Sequence, residues 1–294
     1  MRSVLLSLLV LAAPLPAAEL VPSQIPASAR WQVHADLDAM RGSATGKAVF
    51  AQLEAEHGKQ LRAFKRMFSL HLLDDLRGIT LYGDGKPDHA VALIHGTFDH
   101  AHIEDVIGAA EDHETSTHAG FTVHQWNDKG VAQHAAFANK NLLVFSRQAP
   151  LLRDALDVLK ANAPAAADPF FAADGGRPLI AASARLSEID IPDDGARLVR
   201  MARTLHLAAH EHDGRFILRM AAETADATDA DRLRRMLDGM IAFAQAADPK
   251  LDGLDLQAEL TGDPARPAMS GKLSLPVAEW ITLMAKAAAG KQED

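Results

Sequence analysis

The chain contains no cysteine in 294 residues. That single absence removes disulfides, thiolate nucleophiles and every cysteine-based zinc site. It also leaves no residue for the lipid that anchors a bacterial lipoprotein. Clusters of positive charge are missing too: 30 Lys and Arg against 39 Asp and Glu give a net charge of −9. A nucleic-acid partner requires grouped Lys and Arg, so none is expected. Beyond the N-terminal segment, no apolar run approaches the roughly 20 residues of a membrane span. With 48% hydrophobic and 23% charged residues, the composition is that of an ordinary globular protein.

The familiar catalytic and cofactor signatures are missing as well. Gly83-Asp84-Gly85-Lys86-Pro87-Asp88 lacks the third glycine of a dinucleotide fingerprint and precedes a strand, not a helix. Gly42-Ser43-Ala44-Thr45-Gly46-Lys47-Ala48 resembles a phosphate loop but is one residue short and ends in Ala where a hydroxyl must meet magnesium. No Gly-x-Ser-x-Gly elbow occurs. The acidic pairs Asp74-Asp75 and Asp193-Asp194 sit at turns or helix starts, where they serve as caps and dipole partners. No catalytic residue is assigned, and a non-enzymatic role is the expectation.

What is present begins with residues 1–18: one basic residue (Arg2), an apolar run over 4–13 and the small pair Ala17-Ala18. This reads as a secretory signal peptide, which places the protein in a periplasm or outside the cell with no span left after processing. The remainder divides into an N-terminal half (residues 19–160), an Ala/Pro/Asp/Gly-rich linker (161–178) containing Phe170-Phe171, and a C-terminal half (179–294).

Residues 76–110 read as strand, turn, strand and helix, with Asp99 as N-cap and Ile103, Val106, Ile107 and Ala110 along one helical face. The same order returns over 205–245, with Thr228 or Asp229 as N-cap, which points to an internal duplication. Trp31, Val33, Ala35 and Leu37 alternate with polar residues and are expected to face inward. Ser43 or Thr45 opens a helix that Gly58 is expected to interrupt. Residues 111–120 are polar and read as a loop. Residues 121–126 and 131–137 form a hairpin, and a short helix is expected over 196–202. Leu254, Leu256, Ala258 and Leu260 mark the clearest strand with one buried face. Hairpins dominate and crossovers are few. The fold class is therefore α+β: two similar halves, each an antiparallel sheet with helices packed on one side, in a repeated β-α-β-β-α-β-β-α pattern.

Histidine is the one unusual count: fourteen, eight of them between His89 and His134. His95, His100 and His102, with Asp99 and Glu104 close in sequence, supply ligand types suited to zinc or copper. His113 and His118 fail as a zinc-protease pair, because their spacing of five takes the second off the first one's helical face. The alternative is that the histidines are solvated or half-buried side chains with no cofactor.

The opening Trp31-x-x-His34-x-Asp36-Leu37, the strand Leu76-Arg77-Gly78-Ile79-Thr80-Leu81-Tyr82-Gly83, and the His124-Gln125-Trp126 and Leu143-Val144-Phe145-Ser146 segments resemble uncharacterised secreted protein families of Gram-negative bacteria. That resemblance implies an envelope location and carries no catalytic or binding residue. The expected function is binding, either of an envelope protein partner or of an apolar ligand. The alternative is a His-based periplasmic metal binder or metal-dependent hydrolase. An exposed apolar sheet face would support the first reading, and convergent imidazoles the second.

Overall fold

The computed structural model describes residues 19–166, 177–189, 201–247, 253–263 and 266–290. The proposed signal peptide, Phe170-Phe171, most of the linker and nearly all of the helix expected over 196–202 lie outside these residues.

The chain is arranged around β1 (Trp31–Asp36), which pairs antiparallel on one side with β2 (Leu76–Gly83) and on the other with β8 (Ile180–Arg185). From the β2 side the sheet continues through β3 (Ala90–Gly96), β7 (Leu142–Ser146), β6 (Val131–Asn139), β5 (Phe121–Asp128) and β4 (Glu114–His118). From the β8 side it continues through β9 (Ala202–His212), β10 (Arg215–Thr224), β12 (Ala268–Pro276) and β11 (Gln257–Asp263). The result is one twelve-stranded antiparallel sheet, not two. Tight turns set much of its register. Lys129-Gly130 and Asp213-Gly214 all have positive φ, the geometry of a type I′ hairpin that matches strand twist.

Six α-helices accompany the sheet among the described residues: α1 (Leu37–Gly42), α2 (Ala44–Phe68), α3 (His100–Gly108), α4 (Ala149–Leu159), α5 (Ala227–Ala247) and α6 (Val277–Gly290). Helices α1 and α2 pack on the face that carries Ala35, Ile79 and Ile94. Helix α5 packs on Leu205, Met220 and Ala222, and α6 on Phe216 and Leu275. The cross-strand registers Trp31↔Ala184↔Leu205 put these residues on that same face. Helix α4 is the exception. Its Leu152, Ala155 and Leu156 meet Val91, Leu93 and Val144 on the opposite face. Helices therefore cover both faces, not one. Full burial of leucines such as Leu152 and Leu156 stabilises by about 2 kcal/mol each.

Three local expectations are corrected. Helix α2 runs through Gly58 without a break, because its ends are well set: Ser43 Oγ accepts from Gly46 N at 2.9 Å and Ser69 closes it in the left-handed region. The expected loop over 111–120 contains a strand at 114–118, since β4 extends the β5–β6 hairpin at the sheet edge, where polar residues are tolerated. Helix α5 starts two residues early, and Asp226, not Thr228 or Asp229, accepts from Asp229 N at 2.8 Å.

The largest difference concerns β1 itself. Its polar side is the buried one: Gln32, His34 and Asp36 are nearly inaccessible, whereas Val33 is 37% exposed. One face of this central strand is covered, and on it His34 and Asp36 find partners. His34 Nδ1 bonds Thr80 Oγ1 at 2.9 Å. Asp36 caps α1 by accepting from Ala39 N at 2.9 Å and receives Arg177 Nη2 at 2.6 Å, with Arg177 Nε on its other oxygen. Burial pushes the Asp36 carboxyl up, and the Ala39 amide and Arg177 pull it partly back. Beyond the other end of the β1–β8 pair, Arg30 meets Glu188.

Arg177→Met should cost about 3 kcal/mol at pH 7.5, the lower end expected when one partner of a buried pair is removed. The deficit should shrink at pH 5, because the orphaned carboxyl can then take up a proton. Urea titrations at both pH values check this; a deficit below 1 kcal/mol, or one that grows in acid, contradicts it.

Candidate apolar binding site

The three histidines proposed as metal ligands are not brought together. His95 Nε2 donates to Gln24 Oε1 at 3.1 Å, His100 Nε2 to the Lys140 carbonyl at 3.0 Å, and His102 Nε2 to the Met67 carbonyl at 2.8 Å. His100 also stacks on Phe137 with ring centroids 3.9 Å apart. Among the described residues, no group of three His, Asp or Glu side chains is placed to hold a metal ion.

Several other histidines are packed into the sheet. Burial lowers the pKa of His95, His124, His134 and His210. Nearby positive groups add to the effect, with His34 beside His95, Arg153 near His134 and Arg219 near His210. Glu104 opposes it at His124, and a hydrogen bond with the Ser146 backbone opposes it at His134.

The phosphate-loop lookalike is an elbow between α1 and α2. A Cβ on Gly46 would lie 2.2 Å from the Met40 carbonyl oxygen, so glycine permits the close approach of the two helices. The N-terminus of α2, where a phosphate would bind, already holds a carboxylate of the chain. Glu211 Oε1 accepts from Ala44 N at 2.9 Å and Oε2 from Thr45 N at 2.7 Å. Burial would raise the Glu211 pKa, but these amides and Lys47 bring it down. The contact stitches β9 to α2 across the middle of the sheet.

The described residues do contain an apolar cavity. It has a volume of about 210 Å³ and lies between α5 and strands β9, β10 and β12. Leu205, Met220, Leu233, Leu237 and Met269 line it, with Leu186 at the side, and its lining residues are all apolar. Gly271 helps to shape the adjoining floor: a Cβ there would meet Leu260 Cδ2 at 2.4 Å and Met220 Cγ at 2.9 Å. Engineered apolar cavities of about 150 Å³ stay dry and accept benzene, so this space suits a hydrocarbon group.

From the cavity an apolar row continues across the sheet. Leu207, a lining residue, stands opposite Ala182, then Val33, then Leu81, on the face that carries α1, α2 and α5. Val33 and Leu81 are 37% and 39% exposed, and Ile180 nearby is 42% exposed. Helix α5 extends the apolar surface in another direction, through the exposed Met236, Met240 and Phe243.

Sequence reasoning named none of these residues as a site. The alternation of β1 was visible, but its apolar side was assigned to the core. Leu254, Leu256 and Leu260 are only half-buried and Ala258 is exposed, because the strand starts at Gln257 and β11 lies at the sheet edge.

Compared with known proteins, the chain matches no family model and no curated protein. Solved structures give a different result. The fold is that of TP0453 from Treponema pallidum. Its crystal form III covers 92% of this chain and 99% of its own with a TM-score of 0.51, and form IV covers 91% and 97% with the same score. Identity to TP0453 is 7% in both cases, so the likeness is one of fold. No helix among the described residues is long and apolar enough to cross a membrane.

The buried histidines make stability depend on pH. Below about 6.5, their usual value, the unfolded chain takes up protons that the folded chain resists. Stability should be full above that pH and decline as pH falls through it. The melting temperature should drop between pH 7.5 and 5.5, with a smaller drop in His210→Gln. An equal or higher melting temperature at pH 5.5 contradicts the assignment.

Proposed function

We propose that the protein is an exported, non-enzymatic binder of apolar ligands, which it holds in the cavity under α5 and along the Leu207–Ala182–Val33–Leu81 row. The observation that carries this reading is the continuity of the two: an apolar cavity whose wall passes into partly exposed apolar sheet. Apolar side chains left open beside a cavity are the usual mark of a ligand site. With no polar side chain lining the cavity, the ligand is retained by burial of its hydrocarbon part, and any polar group it carries stays in water. Export rests on the composition of residues 1–18.

The same reading takes the chain as an internal duplication. Strands β1-β2-β3-β7-β6 and β8-β9-β10-β12-β11 run outward from the seam in matching order. In each series a helix follows the third strand, α3 in one and α5 in the other. The hairpin strands β4 and β5 and the placement of α4 are then later departures from the common plan. The exposed Met236, Met240 and Phe243 favour a second occupant, a protein partner lying on α5.

The test is titration with the neutral fluorophore N-phenyl-1-naphthylamine. Saturable one-site binding is expected. It should weaken at least about tenfold in Ala222→Leu, which fills the cavity, and measurably in Leu81→Lys, on the exposed row where substitution barely affects folding. Equal binding by wild type and both variants contradicts the proposal. If probe binding is absent and Phe243→Ser abolishes capture of a protein, the partner reading replaces it.

A further inference from the structure

At the far end of the sheet from the cavity, His113 and His124 face one another. His124 lies in β5 opposite Thr115, and His113 immediately precedes β4, so the two are diagonal neighbours across the strand pair. Their rings stack at 22° with centroids 5.4 Å apart, and His113 Nε2 lies 3.2 Å from His124 Nδ1. We propose that these two nitrogens together bind a divalent transition-metal ion.

Distance is the first argument. An ion about 2.0–2.1 Å from each of two imidazole nitrogens in tetrahedral geometry sets them about 3.3 Å apart. The observed separation needs almost no adjustment beyond ring rotation. The second argument is the carboxylate on the far side of the His124 ring. Glu104 Oε1 lies 4.0 Å from His124 Nε2, too far for a hydrogen bond but close enough to add negative charge beside the pair.

Charge is the third. Residues 104–114 contain Glu104, Asp105, Glu111, Asp112 and Glu114 and no Lys or Arg. His113 also abuts the last turn of α3, since a Cβ on Gly108 would lie 4.0 Å from its Cε1. The carbonyl end of a nine-residue helix favours a cation there. With no third protein ligand grouped among the described residues, water fills the remaining positions. The ion is exchangeable, and the order of divalent affinities puts copper(II) ahead of nickel and zinc.

The experiment is copper(II) titration of the purified full chain, read by native mass spectrometry and by electron paramagnetic resonance. One equivalent with hyperfine structure from two nitrogens is expected. His113→Gln, at a half-buried position, should weaken binding by about tenfold or more. The triple variant His95→Gln, His100→Gln, His102→Gln should bind as the wild type does. Copper affinity unchanged in His113→Gln, or no copper retained at tens of micromolar, overturns the proposal. Loss of copper in the triple variant with His113 intact would overturn it too, by moving the site to the histidines of β3 and α3.

Discussion

Pairing of β1 with β8 is the interaction on which the rest depends. It joins seven strands to five, and without it each group would present a long unpaired edge, which is a template for aggregation. The chain secures the seam on several sides. Asp36 N donates to the Leu179 carbonyl at 2.9 Å and Arg185 N to the Arg30 carbonyl at 2.7 Å, which extends the ladder at both ends. Arg177 and Asp36 close one end, Arg30 and Glu188 the other, and Glu211 reaches over to the first turn of α2. Of these, the Asp36 pair is the most committed, because its carboxylate is 1% exposed and relies on Arg177 and the Ala39 amide to offset lost hydration.

The seam also explains why β1 is inverted relative to its sequence pattern. On the side of Gln32, His34 and Asp36 the strand is covered; His34 is held there by Thr80, and Asp36 by Arg177 and its cap on α1. On the other side the helices stand apart, α1 and α2 over Ile79 and Ile94, α5 over Ala222 and Met269. Val33, Leu81 and Ile180 therefore lie in an uncovered strip. An apolar surface that the fold leaves open is costly in water, and here it runs into the cavity wall at Leu207.

Much of the local structure was legible because it rests on short-range chemistry. Asp99 capping α3, Ser43 capping α2 and the β5–β6 hairpin with its Lys129-Gly130 turn all follow from residues close to one another in the chain. What escaped depends on contacts distant in sequence. Nothing near residues 31–36 announces that Arg177 will neutralise Asp36, so an alternating strand was assigned its apolar face as the inside. The single sheet escaped for the same reason, since a linker rich in Ala, Pro, Asp and Gly reads as a boundary even when strands on either side of it pair. Its first residues are themselves tied down, with Ala166 N donating to the Ile25 carbonyl at 2.7 Å. The histidine cluster misled in the opposite direction: proximity along the chain placed His95, His100 and His102 together, while backbone carbonyls and Gln24 take them up separately.

The central claim is that the space under α5 receives an apolar ligand from the open sheet row. The most direct measurement is NMR of the chain labelled with carbon-13 at its methionine methyl groups, titrated with dodecanol. Met220 and Met269 line the cavity, whereas Met40 is buried with α1 in a separate core cluster and serves as an internal control. The account predicts saturable shifts at Met220 and Met269 with Met40 unmoved. No shift at either cavity methionine, or equal shifts at all three, would contradict it.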